Sequence, residues 1–278
     1  MEHIFNRMDE QHSTYSKSFQ KVASYFYRNP NVFALNSAMQ ASKEVGVSET
    51  TIIRFCHKLG YKGYSDLQQE VQSCLLNRSS LSDYVEDKDE GKTSIKNLML
   101  HDIHNIQKVI EQISEDDLDT VVTKLSNADR ILVSGVRSSH ALANWFAFAL
   151  DLVIGKTRFF QPNIDDVLLR LSEVTTNSVF VAFSFHRYAV STIQSAKLAK
   201  QQGAFVVSIS DSKFAPIADF SDLILPIRLD VKSTLDAAPI VFSLMNSIVS
   251  TISLRNPETF QKRVEMLDAI EATDFFAK

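Results

Sequence analysis

The chain has 278 residues, 45% of them hydrophobic and 22% charged, with a formal net charge of −4. At roughly 150 residues per domain this is one large domain or two modest ones, and the composition excludes disordered, fibrous and disulfide-scaffolded classes. No apolar run is expected to reach the ~18 residues of a membrane-spanning helix. MEHIFNRMDE does not read as a secretory signal, and Cys56 and Cys74 read as reduced thiols of a cytoplasmic protein.

The charge is unevenly placed. Residues 1–80 carry nine Lys and Arg against seven Asp and Glu, a net of +2, so the remainder nets −6. An anionic partner is therefore expected on the N-terminal part. Residues 16–28 place Phe19, Val22, Ala23 and Phe26 on one helical face, and Asn29-Pro30 reads as its stop. A second helix is expected near Asn36–Val45. Gly46 then suits a tight corner, Ser48 an N-cap, and Ile52, Phe55, Cys56 and Leu59 share one face of a third helix that ends at Gly60.

Helix, glycine turn and capped helix make a helix-turn-helix arrangement. The polar face of the last helix suits a DNA reader. Ser48, Glu49, Thr50 and Thr51 lie at its N-terminus, where free N–H groups can meet phosphate. Arg54 can reach a guanine edge, and His57, Lys58 and Lys62 can hold the backbone. The same pattern also fits an ordinary helical corner with a solvated polar face. Adjacent Cys56 and His57 lack metal-ligand spacing, so no metal or other cofactor is expected.

The polar stretch 78–94 has linker composition and separates a DNA-binding domain, 1–77, from a second domain, 95–278. Residues 95–113 and a segment opening at Ser114 read as helices. Beyond them, five short apolar runs (RILVS at 130–134, then 158–160, 178–183, 204–209 and 222–226) alternate with helical stretches at 139–153, 165–171, 190–202 and 236–254. That alternation predicts a parallel five-stranded sheet flanked by helices, with ligands at the C-terminal ends of its strands.

Two strand-to-helix junctions carry the chemistry. Gly135, Arg137, Ser138 and Ser139 follow the first strand; Ser184, His186, Arg187 and Tyr188 follow the third, with Thr192 a turn further on. Hydroxyls, backbone N–H groups and cations at helix starts make a cradle for an anion. Both junctions also fit plain surface loops with a capping serine. Gly135 does not begin a G-x-G-x-x-G, which disfavours a dinucleotide. Trp145, in NWFAFAL, reads as a packing residue.

The stretch GVSETTIIRFCHKLGYKGYSDLQ resembles the signature of RpiR-type (MurR/RpiR) bacterial transcriptional regulators. ILVSGVRSS, VFVAFSF, AKLAKQQGAFVVSISDS and ADFSDLILPI resemble pieces of a sugar isomerase (SIS) domain. The resemblance implies a homodimer, or a dimer of dimers, that binds a double-stranded operator and senses a small anionic metabolite, commonly a phosphosugar. The family's usual ligand loop reads S-x-S-G-x-T. Here Ser184 is kept, but His186, Arg187 and Ala189 replace the second serine, the glycine and the threonine, and Arg137 replaces a small residue. The two arginines either bind a phosphate or carboxylate directly or form salt bridges that fill the site. Two alternatives stand beside a ligand-responsive regulator. One is a SIS-type sugar-phosphate isomerase with an accessory domain, for which His186 or Glu173 would have to be the base. The other is a ligand-blind dimer that uses the SIS fold only as scaffold.

Overall fold

The computed structural model describes residues 1–76, 94–162, 164–185, 188–227 and 234–270. The linker stretch up to residue 93, together with His186 and Arg187, lies outside the described residues. Six helices form the N-terminal unit: α1 (Glu2–Glu10), α2 (Lys17–Arg28), α3 (Pro30–Leu35), α4 (Ala38–Val45), α5 (Glu49–Lys58) and α6 (Tyr64–Leu76). Pro30 opens α3 rather than merely ending α2. Its fixed φ suits a first helical position, where the missing N–H costs no hydrogen bond. Helix α1, which lies before the stretches expected to be helical, spaces Met1, Ile4, Phe5 and Met8 at i, i+3, i+4, i+7 and buries Ile4 and Met8 against Phe26, Phe33 and Leu67 in one shared cluster.

The corner between α4 and α5 follows local chemistry. Ser37 and Gln40 form a capping box at the start of α4. Gly46 closes that helix at φ +72°, a conformation costly for any side chain. The Ser48 hydroxyl accepts from Thr51 N at 3.2 Å and starts α5. Ile52, Phe55, Cys56 and Leu59 are all buried, so the face read from sequence is the face that packs. Burial pushes the Cys56 thiol up to about 12, as expected of a core cysteine. Among the described residues no cluster of three metal-ligating side chains occurs.

The C-terminal unit begins with α7 (Ile95–Gln112) and α8 (Glu115–Asn127). It continues as β1 (Ile131–Ser134), α9 (His140–Val153), β2 (Thr157–Phe160), α10 (Val167–Ser172), β3 (Val179–Ser184) and α11 (Val190–Gln201). It closes with β4 (Phe205–Ser210), β5 (Leu223–Pro226), α12 (Thr234–Arg255) and α13 (Pro257–Asp268). All five strands are parallel, in the order β2-β1-β3-β4-β5.

Residues alternate between the two faces of the sheet. Ile131, Val133, Val179, Val181 and Val207 join α8, α9 and α12 in one cluster; Leu132, Phe180, Ala182 and Val206 join α10 and α11 in the other. Burial on both faces is why these strands read as continuous apolar runs. Helix α12 holds a 19-residue stretch, Ala237–Arg255, long and apolar enough by length and composition to cross a membrane, which corrects the expectation that no run approaches that length. Ile240, Val241, Met245, Ile248 and Ile252 of that stretch are buried in the sheet-face cluster, and Trp145 of α9 meets Phe242 edge-to-face at 5.5 Å. One face of the stretch thus packs on the sheet, and about a third of it is buried.

Candidate functional site

The polar face of α5 is presented outward. Ser48, Glu49, Thr50, Arg54, His57, Lys58 and Lys62 are exposed and Thr51 is half-buried. The Ser48 and Thr51 hydroxyls stand 2.8 Å apart at the helix start, and His57 Nδ1 lies 3.1 Å from the Tyr61 carbonyl, which fixes that ring. Seven of the eight residues expected to meet DNA therefore project to solvent from one helix and the turn that follows it. A helix N-terminus, hydroxyls and four side chains able to carry positive charge are the chemistry of a phosphate and base-edge contact.

The second site lies where the strand order reverses. The chain runs from β1 outward to β2 and then returns to β3 on the other side of β1, so the loops after β1 and β3 border one crevice. Register pairs Ser134 with Ala182 across that junction. Gly135 is buried, and a Cβ there would meet the Ser139 carbonyl oxygen at 2.8 Å and press on Phe183 Cβ at 3.1 Å, so the tight turn back to Ser139 leaves no room for a side chain. Arg137 sits exposed at φ +57°, in the left-handed region where a non-glycine residue is strained. Ser138 is exposed and Ser139 buried.

The crevice edge holds three buried hydroxyls, those of Ser134, Ser184 and Thr192, with no hydrogen-bond partner among the described residues. The sequence marks Ser184, and Thr192 only as lying a turn into the next helix. Ser134 reads as part of its strand and carries no signal of its own. The helices that follow are α9 and α11. Neither has a side-chain cap, whereas Ser114 caps α8 and Asp166 caps α10 at their starts. Two helix starts without side-chain caps and three unpartnered hydroxyls leave polar groups at this edge of the sheet that an oxyanion can satisfy.

Tyr188 stands at the mouth with its hydroxyl engaged, 2.8 Å from Asp211 Oδ1 and 2.7 Å from Tyr27 Oη of the N-terminal unit. Burial, the Asp211 charge and Tyr27 hold its phenol well above the usual tyrosine range. Glu173, one candidate isomerase base, is not at the crevice. It follows α10, precedes β3 and pairs with Arg130 just before β1, at the opposite edge of the sheet. Helix-to-strand loops belong to that N-terminal edge, a signal the sequence already held.

With this geometry established, two family models match. Residues 2–77 match the helix-turn-helix domain of the rpiR family, and residues 124–255 match the SIS domain, together well over half of the chain. The chain belongs to the RpiR family of transcriptional regulators.

The first match takes in α1, which the sequence resemblance left out. This RpiR-family chain is 24% identical over 280 residues to the HTH-type transcriptional regulator HexR of Pseudomonas aeruginosa, covering 96% of this chain and 93% of that protein. It is 26% identical over 227 residues to an HTH-type transcriptional regulator of Haemophilus influenzae, covering 80% and 78%. The structure of Vibrio vulnificus NanR, solved with ManNAc-6P, superimposes with a TM-score of 0.57 over 97% of this chain and 99% of that one, at 20% identity, a likeness of fold.

Proposed function

We propose that this regulator binds a two-fold DNA operator through α5 and that a phosphorylated sugar or sugar acid in the β1/β3 crevice modulates that binding. The observation that carries the reading is the set of buried, unpartnered hydroxyls of Ser134, Ser184 and Thr192 beside two uncapped helix N-termini. Hydroxyls and backbone N–H groups together satisfy an anion without needing a buried countercharge. Gly135, Arg137, Ser138, Ser139 and Tyr188 border the same place, and the sequence pattern adds His186 and Arg187. The ManNAc-6P held by the NanR structure is a ligand of this chemical class.

Ser48, Glu49, Thr50, Thr51, Arg54, His57, Lys58 and Lys62 form the DNA-reading set. Residues 1–77 are the DNA-binding domain and 95–278 the effector and dimer domain, joined by 78–94. A homodimer is supported by apolar side chains left exposed on the C-terminal unit, among them Phe148 on α9, Leu254 on α12 and Met99 and Ile103 on α7. An operator-binding protein of this kind works in the cytoplasm. The isomerase reading is disfavoured by Glu173, whose carboxylate is at the wrong edge of the sheet.

Titration calorimetry with a panel of sugar phosphates and sugar acids tests the effector site. A panel member binding the parent, and binding Ser184→Ala and Arg137→Ala about tenfold more weakly, is the expected result. Equal affinity for all three proteins would place the ligand elsewhere.

A further inference from the structure

The helix-turn-helix unit is seated on the loops after β3 and β4. Tyr27 of α2 meets Tyr188 hydroxyl to hydroxyl at 2.7 Å, and Tyr188 reaches Asp211 Oδ1 at 2.8 Å. Tyr188 has one proton and the carboxylate only accepts, so Tyr188 donates to Asp211 and Tyr27 supplies the proton for the other contact. Beside this chain the Ser212 hydroxyl donates to Asp9 Oδ1 at 3.0 Å, with both residues buried. Arg28 pairs with Asp219 at the rim. Phe214 fills the apolar centre of the seat, its ring 5.0 Å from His12 and 6.4 Å from Tyr15.

The seat touches both functional sites. On one side, Tyr188 lies four residues beyond Ser184, and the Ser210 hydroxyl, next to Asp211, donates to the Ser184 carbonyl at 2.6 Å. On the other side, Tyr15 stacks edge-on against Phe55 at 5.6 Å, and Phe55 is the buried heart of α5. One ring therefore separates the loop after β4 from the recognition helix. The outer face of α5 stays exposed while the unit is seated, so the seated state is free to read DNA.

Resting on the effector reading above, we propose that the hydrogen-bonded chain Tyr27–Tyr188–Asp211 is a latch. It holds α5 in its DNA-reading pose, and an anion bound in the β1/β3 crevice opens it. The middle member is the vulnerable one. An incoming anion that accepts the Tyr188 O–H in place of Asp211 ends the donation to that carboxylate, and one that draws Tyr188 inward parts it from Tyr27 as well. Buried polar groups need partners in either state, so the latch opens only where the bound anion replaces the hydrogen bond that Tyr188 loses. An effector that favours the open state weakens operator binding only by its differential affinity for the two states, and operator binding weakens the effector by the same factor.

The test uses the full chain with Tyr27→Phe, which keeps the ring and removes only the hydroxyl. Tyr27 lies outside the crevice, so this variant tests coupling and not ligand contact. In fluorescence anisotropy with a labelled operator duplex and no ligand, the variant should bind roughly three- to tenfold more weakly than the parent. In calorimetry with N-acetylmannosamine 6-phosphate as probe, it should bind roughly three- to tenfold more tightly, which lost packing would not produce. Ser212→Ala should shift both affinities the same way. Tyr27→Phe and Ser212→Ala proteins that melt like the parent and bind the operator equally well would overturn the latch. If the probe binds neither parent nor variant, the effector reading is decided by the calorimetric panel above, and the ligand-free operator titration alone decides the latch.

Discussion

Glu173 pairs with Arg130 at the edge of the sheet opposite the crevice. The pair ties the loop before β3 to the residue before β1 and keeps that carboxylate away from any ligand held by Ser134 and Ser184. Glu173→Gln should therefore leave effector affinity unchanged, within about twofold, in the calorimetric panel. Loss of binding in a folded Glu173→Gln protein would return the isomerase reading to consideration.

Arg54 projects from the exposed face of α5 with no part in the core. Arg54→Ala should leave the melting temperature within a degree or two and weaken operator binding by about 1–3 kcal/mol if it meets a base edge. Anisotropy titration at two salt concentrations separates the cases, because a lost phosphate contact also lowers the salt slope.

Ser48 caps the recognition helix through Thr51 N. Ser48→Ala should lower stability by about 1 kcal/mol, read from urea unfolding, with a larger proportional loss in operator binding because the same residue belongs to the proposed DNA-reading set. Stability equal to the parent would mean that the cap is not made in solution.

Gly135 admits no side chain without displacing the Ser139 carbonyl or Phe183. Gly135→Ala is expected to cost about 1–3 kcal/mol of stability and to weaken effector binding, because the turn that brings the Ser139 carbonyl back to residue 135 must open. Thermal melting and calorimetry on the same preparation check both effects.

Much of this was legible in the chain itself. The apolar face of α5, the Gly46 corner and the Ser48 cap are local facts, set by residues within one or two turns of each other. The five strands were legible because burial on both faces makes their runs continuous. Helix α1 was legible too, in the i, i+3, i+4, i+7 spacing of Met1, Ile4, Phe5 and Met8, although the expected helices begin only at residue 16. Two things were not. The order β2-β1-β3, which makes the crevice, is a choice of crossover that periodicity does not encode, and so the role of Ser134 was invisible. The meeting of Tyr27 with Tyr188 joins residues 161 positions apart and follows only from how the two units dock.

The central claim is that occupancy of the crevice changes operator binding. The measurement that tests it most directly is an operator isotherm of the full-length protein, taken with and without a saturating phosphosugar that calorimetry has shown to bind. Midpoints about 5- to 150-fold apart are predicted, the span of a typical coupling between two sites. Superimposable isotherms at ligand saturation would contradict the account.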